Sequence, residues 1–320
     1  MARFPAKLLL LGEHTVLHGG AAYALPLRRY TAAIGLPEEI PPDPDSGRSR
    51  PRLDFAAWAA FAKTRIHAAA PAETLTAQLD LDRWTSEAPG LRVDSDIPVG
   101  YGLGSSGALT AALVARYGRP AGADAPLEST LPPLLALLEA YFHGRSSGLD
   151  PLVSYLGRGV TVAPSGDFAA SAAPSLLPRA AAGGDAWFLL DSGRPRAGRD
   201  TIARFGESCE RAPWRTDVLT PMLALVGDLI AEHQRSGTLD VPALRELSAL
   251  QARHLGFLIP AEVAHAWSVL AQAGLAYLKV CGAGGGGYFL GYAPDRARVL
   301  AETSPLRDYP ITWLDDLDGA

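Results

Sequence analysis

The stretch PVGYGLGSSGALTAAL, Pro98 to Leu113, restricts the possible folds of this chain more than any other. Glycines at 100, 102, 104 and 107 surround two adjacent serines, and an alanine- and leucine-rich run follows. A strand-like segment, LRVDS, ends at Ser95, so the unit reads as strand, turn and helix. In the helix Leu109, Leu113 and Tyr117 recur at fourfold spacing, and Gly118 with Pro120 closes it. Glycine tolerates positive φ and lets another group come close to the backbone. A helix N-terminus leaves N–H groups without intrahelical partners and carries partial positive charge, which suits an anion such as phosphate. A serine-capped helix after a flexible turn would use the same residue types, although four glycines exceed what capping needs. No Lys-Ser or Lys-Thr pair follows the last glycine, so this is not a Walker A loop.

At 320 residues the chain can bury a sizeable core and divide into two domains. Its net charge is −5 and it has no long basic run, which argues against nucleic acid or an anionic membrane as partner. Two cysteines, Cys209 and Cys281, make neither a disulfide framework nor a metal-ligand spacing. The apolar run at Leu8 is too short for a signal peptide, and no segment is long enough to span a membrane, so a cytoplasmic location is expected. Of 29 basic residues only Lys7, Lys63 and Lys279 are lysines, which marks each of them as a candidate for a specific role.

The first half mixes strands and helices. AKLLLLG, RRYTAAIGL and LRVDS read as strands, and GALTAALVARYG as a helix. LPPLLALLEAYFHG reads as another helix, with prolines in its opening turn and Gly144 at its end. Ile40 to Pro51 reads as a loop, and Ala163 to Asp185, rich in Ala, Ser, Gly and Pro, as the linker. The expected domains are therefore 1–183 and 184–320. In the second, a strand AWFLLDS precedes helices near Asp217–His233, Val241–Leu258 and Ala261–Ala273. Strands YLKVC and YFLGY, a helix DRARVLAET and a strand PITWL complete it. That succession is the split βαβ order of a ferredoxin-like layer, and the fold class is α+β.

Three further stretches carry chemistry. KVCGAGGGGYFLGY packs five glycines into Gly282–Gly287, more than a hairpin turn requires, and reads either as a floppy hairpin or as a backbone wall against a ligand or the first glycine loop. PAKLLLLGEHTVLHGG sets Lys7, Glu13 and His14 around a short strand and turn, with His18 beyond them. In LLEAYFHGRSSGLDPL, Glu139 interrupts an apolar helix on a register bracketed by Leu135 and His143. Asp150 would either cap the next helix or act as a base beside a reacting hydroxyl.

Taken together these stretches resemble the three signatures of the GHMP kinase superfamily, in order and spread over nearly the whole chain. Within it the likeness is greatest to the mevalonate kinase family, on GEHTVLHGG and EAYFHGRSSGLD. Galactokinases share Gly-Glu-His-Thr but continue with Asp-Tyr, where this chain has Val16 and Leu17. Two departures from the family pattern are Gly107 for the usual Ala and Pro151 where Asn is common. The resemblance implies a ribosomal S5 domain 2-like N-terminal domain joined to a ferredoxin-like C-terminal domain. It implies an ATP- and Mg²⁺-dependent kinase of a small primary alcohol, mevalonate first. The alternatives are a sugar or other alcohol as acceptor, or an inactive nucleotide- or metabolite-binding sensor.

By the same likeness ATP would bind at Pro98, Gly100, Gly102, Leu103, Gly104, Ser105, Ser106, Gly107 and Gly284. Ser106 and Glu139 would hold Mg²⁺. Asp150 and Lys7 would be catalytic, with Asp150 facing the attacking hydroxyl. Glu13, His14, Arg199 and Thr201 would contact the acceptor. The partner expected is the small-molecule substrate, with a homodimer left open.

Overall fold

A computed structural model describes residues 1–40, 52–68, 79–119, 127–171, 177–180, 184–196, 199–301, 306 and 309–314. Most of the loop expected at Ile40–Pro51, and parts of the linker expected at Ala163–Asp185, lie outside these residues. The described chain groups into two compact units that do not follow a single cut. One comprises Met1–Lys7, Pro26–Pro98 and Gly104–Val160, the other Leu8–Leu25, Val99–Leu103 and Thr161–Ala320.

The strands in chain order are β1 (Phe4–Leu11), β2 (Ala22–Gly35), β3 (Arg92–Ser95), β4 (Val160–Val162) and β5 (Phe168–Ala170), with the order β1-β2-β4-β5 and β3 paired to β2. β3 runs antiparallel to the end of β2, with Ala32 opposite Ser95 and Gly35 opposite Arg92. The first unit holds β3 with the helices α1 (Phe55–Ala68), α2 (Leu81–Glu87), α3 (Ser105–Tyr117), α4 (Leu127–His143) and α5 (Leu149–Leu156). Its core gathers Trp58, Trp84, Leu113, Leu135 and Leu138, all fully buried. The Trp58 and Trp84 rings meet edge to face at 5.8 Å, and the Trp58 indole donates to the Leu138 carbonyl at 2.9 Å. α3 is buried on nearly every side, which is why its sequence shows so little polar character.

One expectation fails in α4. The helix starts at Leu127, so Pro132 and Pro133 lie inside it instead of in its opening turn. A proline lacks the N–H that would bond four residues back. The helix nevertheless continues because Leu131, Leu134, Leu135 and Leu138 bury its apolar face, and packing of that kind overrides local propensity.

In the second unit β6 (Ala186–Asp191), β7 (Tyr277–Val280), β8 (Tyr288–Ala293) and β9 (Ile311–Trp313) form an antiparallel sheet in the order β7-β8-β6-β9. Between β6 and β7 come α6 (Arg199–Glu210), a single turn Ala212–Trp214, a π-helical turn Arg215–Leu219, then α7 (Thr220–Ser236), α8 (Val241–His254) and α9 (Ala261–Gln272). α10 (Arg296–Ala301) links β8 to β9. This is the strand, helices, two strands, helix, strand succession expected from the sequence. Among the described residues no helix is long and apolar enough to cross a membrane.

Gly291 on β8 pairs with Phe188 on β6, and a Cβ there would lie 2.2 Å from the Phe188 ring. The ring can lie flat over the strand only because that position is bare. Gly291→Ala should therefore overpack the sheet and cost about 1–3 kcal/mol, read as a lower urea midpoint at unchanged slope.

Candidate active site

In the first unit β1 carries Lys7, buried to 4 % exposure, and its ammonium pairs with Asp150 Oδ1 at 2.8 Å. Asp150 lies in the first turn of α5, whose N-cap is Gly148. It is therefore not the helix cap that its place in the sequence allowed. Gly104, the N-cap of α3, takes φ 67°, a left-handed conformation that glycine adopts at little cost. Its bare side faces the same pair: a Cβ there would stand 3.2 Å from Lys7 Cβ and 3.3 Å from Asp150 Oδ2. No side chain caps α3. The Ser106 hydroxyl instead donates to Glu139 Oε1 at 3.0 Å.

Glu139 does not face solvent, the usual place for an acid in an apolar helix. It is buried on α4, and its second oxygen accepts from Ser146 at 2.5 Å. His143, one turn further along α4, brings Nε2 to 3.0 Å from the Ser106 hydroxyl. That hydroxyl already gives its proton to Glu139, so the imidazole N–H donates and one oxygen lone pair is left over. Ser146 and His143 were absent from the sequence-derived site. The i, i+4 spacing of Glu139 and His143 was the available signal for the second. For Ser146, which reaches Glu139 across the turn after α4, there was none.

Burial, reinforced by the negative charge of Asp150, pushes the Glu139 carboxyl up to about 7, against the hydrogen bonds from Ser146 and Ser106 and the charge of Lys7. The folded protein thus holds a proton there that the unfolded chain releases near its ordinary value. This group stabilises the fold fully below that ordinary value, and the contribution is lost as pH rises through about 7. A desolvated carboxylate beside a serine hydroxyl is a hard-oxygen pair suited to a small divalent cation. Among the described residues no group of three or more His, Cys, Asp or Glu could hold a metal. A cation at Glu139 and Ser106 would accordingly need non-protein ligands, as Mg²⁺ does when it shares phosphates and waters.

The second unit arranges its own cluster. Glu13 and Lys279 form a buried ion pair, and Lys279 also donates to the Val280 carbonyl at 2.8 Å. His14 adopts φ 60°, stacks on Phe205 at 4.7 Å and donates from Nε2 to the Ala283 carbonyl at 3.1 Å. Burial drives its pKa down to about 4, only partly offset by that hydrogen bond, so the ring is neutral at pH 7. Thr201 is buried on α6. Arg199 opens that helix, but its side chain lies outside the described residues.

The glycine-rich turn between β7 and β8 is a wall of backbone on backbone. A Cβ on Gly287 would meet Tyr101 at 3.0 Å, and one on Gly286 would lie 2.3 Å from the Pro195 carbonyl oxygen. A Cβ on Gly102, on the other side, would stand 3.3 Å from the Cys281 carbonyl oxygen, and Leu103 beside it is buried. A Cβ on Gly284 would lie 3.0 Å from the Leu258 side chain, and the Gly100 carbonyl accepts from the Arg196 N–H at 2.9 Å. Of the two readings of this turn, the packed one holds, and what it packs on is the first glycine loop.

Residues 69–158 match the family of GHMP kinases N terminal domains. Over that segment the chain is similar to the GHMP kinases. A mevalonate kinase of Thermococcus sibiricus is 26% identical over 328 residues, covering 94% of this chain and 91% of that protein. The L. major mevalonate kinase solved in complex with R-mevalonate shares the fold at TM-score 0.59 and 15% identity, over 97% of this chain and 94% of that one. The Lactococcus lactis galactokinase solved with galactose does so at 0.57 and 14%, over 97% and 91%. The fold is thus common to kinases of different acceptors.

The shift at Glu139 is open to a direct check. Titrated by infrared or carbon-13 NMR in the absence of metal, the protein should show one carboxyl group with a midpoint near 7. That titration should vanish in Glu139→Gln.

Proposed function

We propose that this GHMP kinase relative transfers the γ-phosphoryl group of ATP to a primary alcohol, and that the alcohol is the 5-hydroxyl of mevalonate. The observation that carries the reading is the Lys7–Asp150 pair under the bare N-cap of α3, next to the Ser106–Glu139 pair. Phosphoryl transfer is chiefly positioning and charge neutralisation, and these are the groups it calls for.

In this reading the N–H groups of the first turn of α3, Ser105 to Gly107, receive the phosphates, and Pro98, Gly100, Gly102, Leu103, Gly104 and Gly284 are assigned to the same nucleotide. Glu139 and Ser106 would hold Mg²⁺, which when bound neutralises charge on the phosphate oxygens. Asp150 accepts or orients the proton of the attacking hydroxyl, and Lys7 steadies both Asp150 and the transferring group. Ser146 and His143 hold Glu139 and Ser106 in place. Glu13, His14, Arg199 and Thr201 are assigned to the acceptor, an arginine being suited to its carboxylate. His14, being neutral, offers shape and a hydrogen-bonding ring and no charge. A sensor that only binds would have no use for Lys7, Glu139 and Asp150 together, which favours an active enzyme. Cytoplasmic location and a homodimer remain part of the reading from sequence.

Mevalonate is preferred to a sugar because the turn after His14 continues with a half-buried Val16 and an exposed Leu17. A site without polar partners leaves sugar hydroxyls unpaired, at about 1–3 kcal/mol each. Two such losses lower kcat/KM by about 10²-fold or more. An ADP-release assay with mevalonate, galactose, homoserine and phosphomevalonate should rank mevalonate first, and preference for a sugar would overturn the acceptor while leaving the kinase. Asp150→Asn should lower kcat by about 10²-fold or more with nucleotide binding retained. Turnover within a few-fold of the unsubstituted enzyme would remove Asp150 from the chemistry.

A further inference from the structure

Gly107 sits in the first turn of α3 and has no positive φ to explain it. What it lacks is room. A Cβ built there would lie 2.7 Å from the carbonyl carbon of Asp150, 2.8 Å from Asp150 Cβ and 2.8 Å from the Pro151 nitrogen. Side-chain carbons do not approach other atoms that closely, so any larger residue at 107 requires α3 or α5 to move. Two of these atoms are backbone and the third is a Cβ held by it, so none can swing aside as the end of a long side chain can. Pro151 stiffens that backbone further, because its ring fixes φ at the bond next to Asp150.

We infer that Gly107 and Pro151 are positioning residues for Asp150: the bare α-carbon of one and the locked backbone of the other fix where the Asp150 carboxylate stands against Lys7. Gly107 and the Asp150–Pro151 bond are the two sides of one contact. Asp150 is about one-third exposed while Lys7 is buried, so the carboxylate is the partner whose placement depends on its backbone. A shift of α5 away from α3 by the width of a methyl group moves the carboxylate relative to Lys7 Nζ and to the bare side of Gly104. Loss of alignment on that scale is costly to a reaction that depends on in-line placement.

The inference rests on the role proposed for Asp150, and the test keeps the two apart. Steady-state rates are measured with ATP and mevalonate for Gly107→Ala, Asp150→Asn and the double variant, with urea unfolding alongside. Gly107→Ala should lower kcat at least about tenfold. Asp150→Asn should cost far less in the Gly107→Ala background than alone, because the first change has already misplaced the group that the second removes. Gly227→Ala, a helical glycine on α7 with open space around it, serves as the control and should leave kcat unchanged.

A Gly107→Ala enzyme with kcat within twofold of the unsubstituted one, or losses that simply add in the double variant, overturns the inference. If Gly107→Ala does not fold, Pro151→Ala decides. Freeing φ beside Asp150 should lower kcat several-fold at constant KM for ATP, and an unchanged kcat overturns the inference. If Asp150→Asn itself retains full activity, the functional reading fails before the positioning is in question.

Discussion

A lysine with almost no exposed surface needs a carboxylate within reach, and Lys7 has Asp150 at 2.8 Å. Burying an ammonium group without a partner costs several kcal/mol. The middle of β1 and the N-terminal turn of α5 are therefore tied to each other by charge, with the N-cap of α3 lying bare beside the pair. The geometry proposed for phosphoryl transfer is in this sense also a condition for folding the first unit. A lysine so placed is also held ready: its side chain need not be ordered when a substrate arrives, which is where much of the entropic cost of catalysis otherwise falls.

The two acids near that lysine are kept different by their surroundings. Asp150 has direct contact with the cation and partial access to water, whereas Glu139 is enclosed, takes hydrogen bonds from two serines and feels Asp150 as a like charge. One group suits contact with a hydroxyl, the other a cation that would offset its lost hydration. Separating a pair of carboxylates by environment is a general way to give two identical functional groups two tasks.

Much of this was legible in the sequence. The glycine spacing located the N-terminus of α3, and the order of strands and helices after the linker matched the β7-β8-β6-β9 layer. The scarcity of lysine marked Lys7, Lys63 and Lys279 alike; the first and last are buried in ion pairs, whereas Lys63 is exposed on α1. What was hidden depends on contacts between distant residues. The prolines of α4 signalled a helix start by local rules, but buried leucines on both sides of them carry the helix through. Ser146 looked like loop composition, and only the fold points it at Glu139. His14 could be marked as a candidate, yet its neutrality follows from burial against Phe205 and Ala283, residues 191 and 269 positions away. No linear boundary could have shown that segments 8–25 and 99–103 group with the later part of the chain.

The near-absence of lysine also gives the folded molecule a simple surface chemistry toward amine-directed reagents. Lys7 and Lys279 are shut away behind their carboxylates, and Lys63, on the exposed face of α1, stands open to solvent. Acylating agents at moderate pH would thus modify one lysine of the three and leave the arginine-rich remainder alone. A fluorophore or a tether can be attached at a single defined lysine side chain, alongside the chain's own α-amino group. The appearance of a second and third modified lysine, counted by mass, would register the opening of the first and second units.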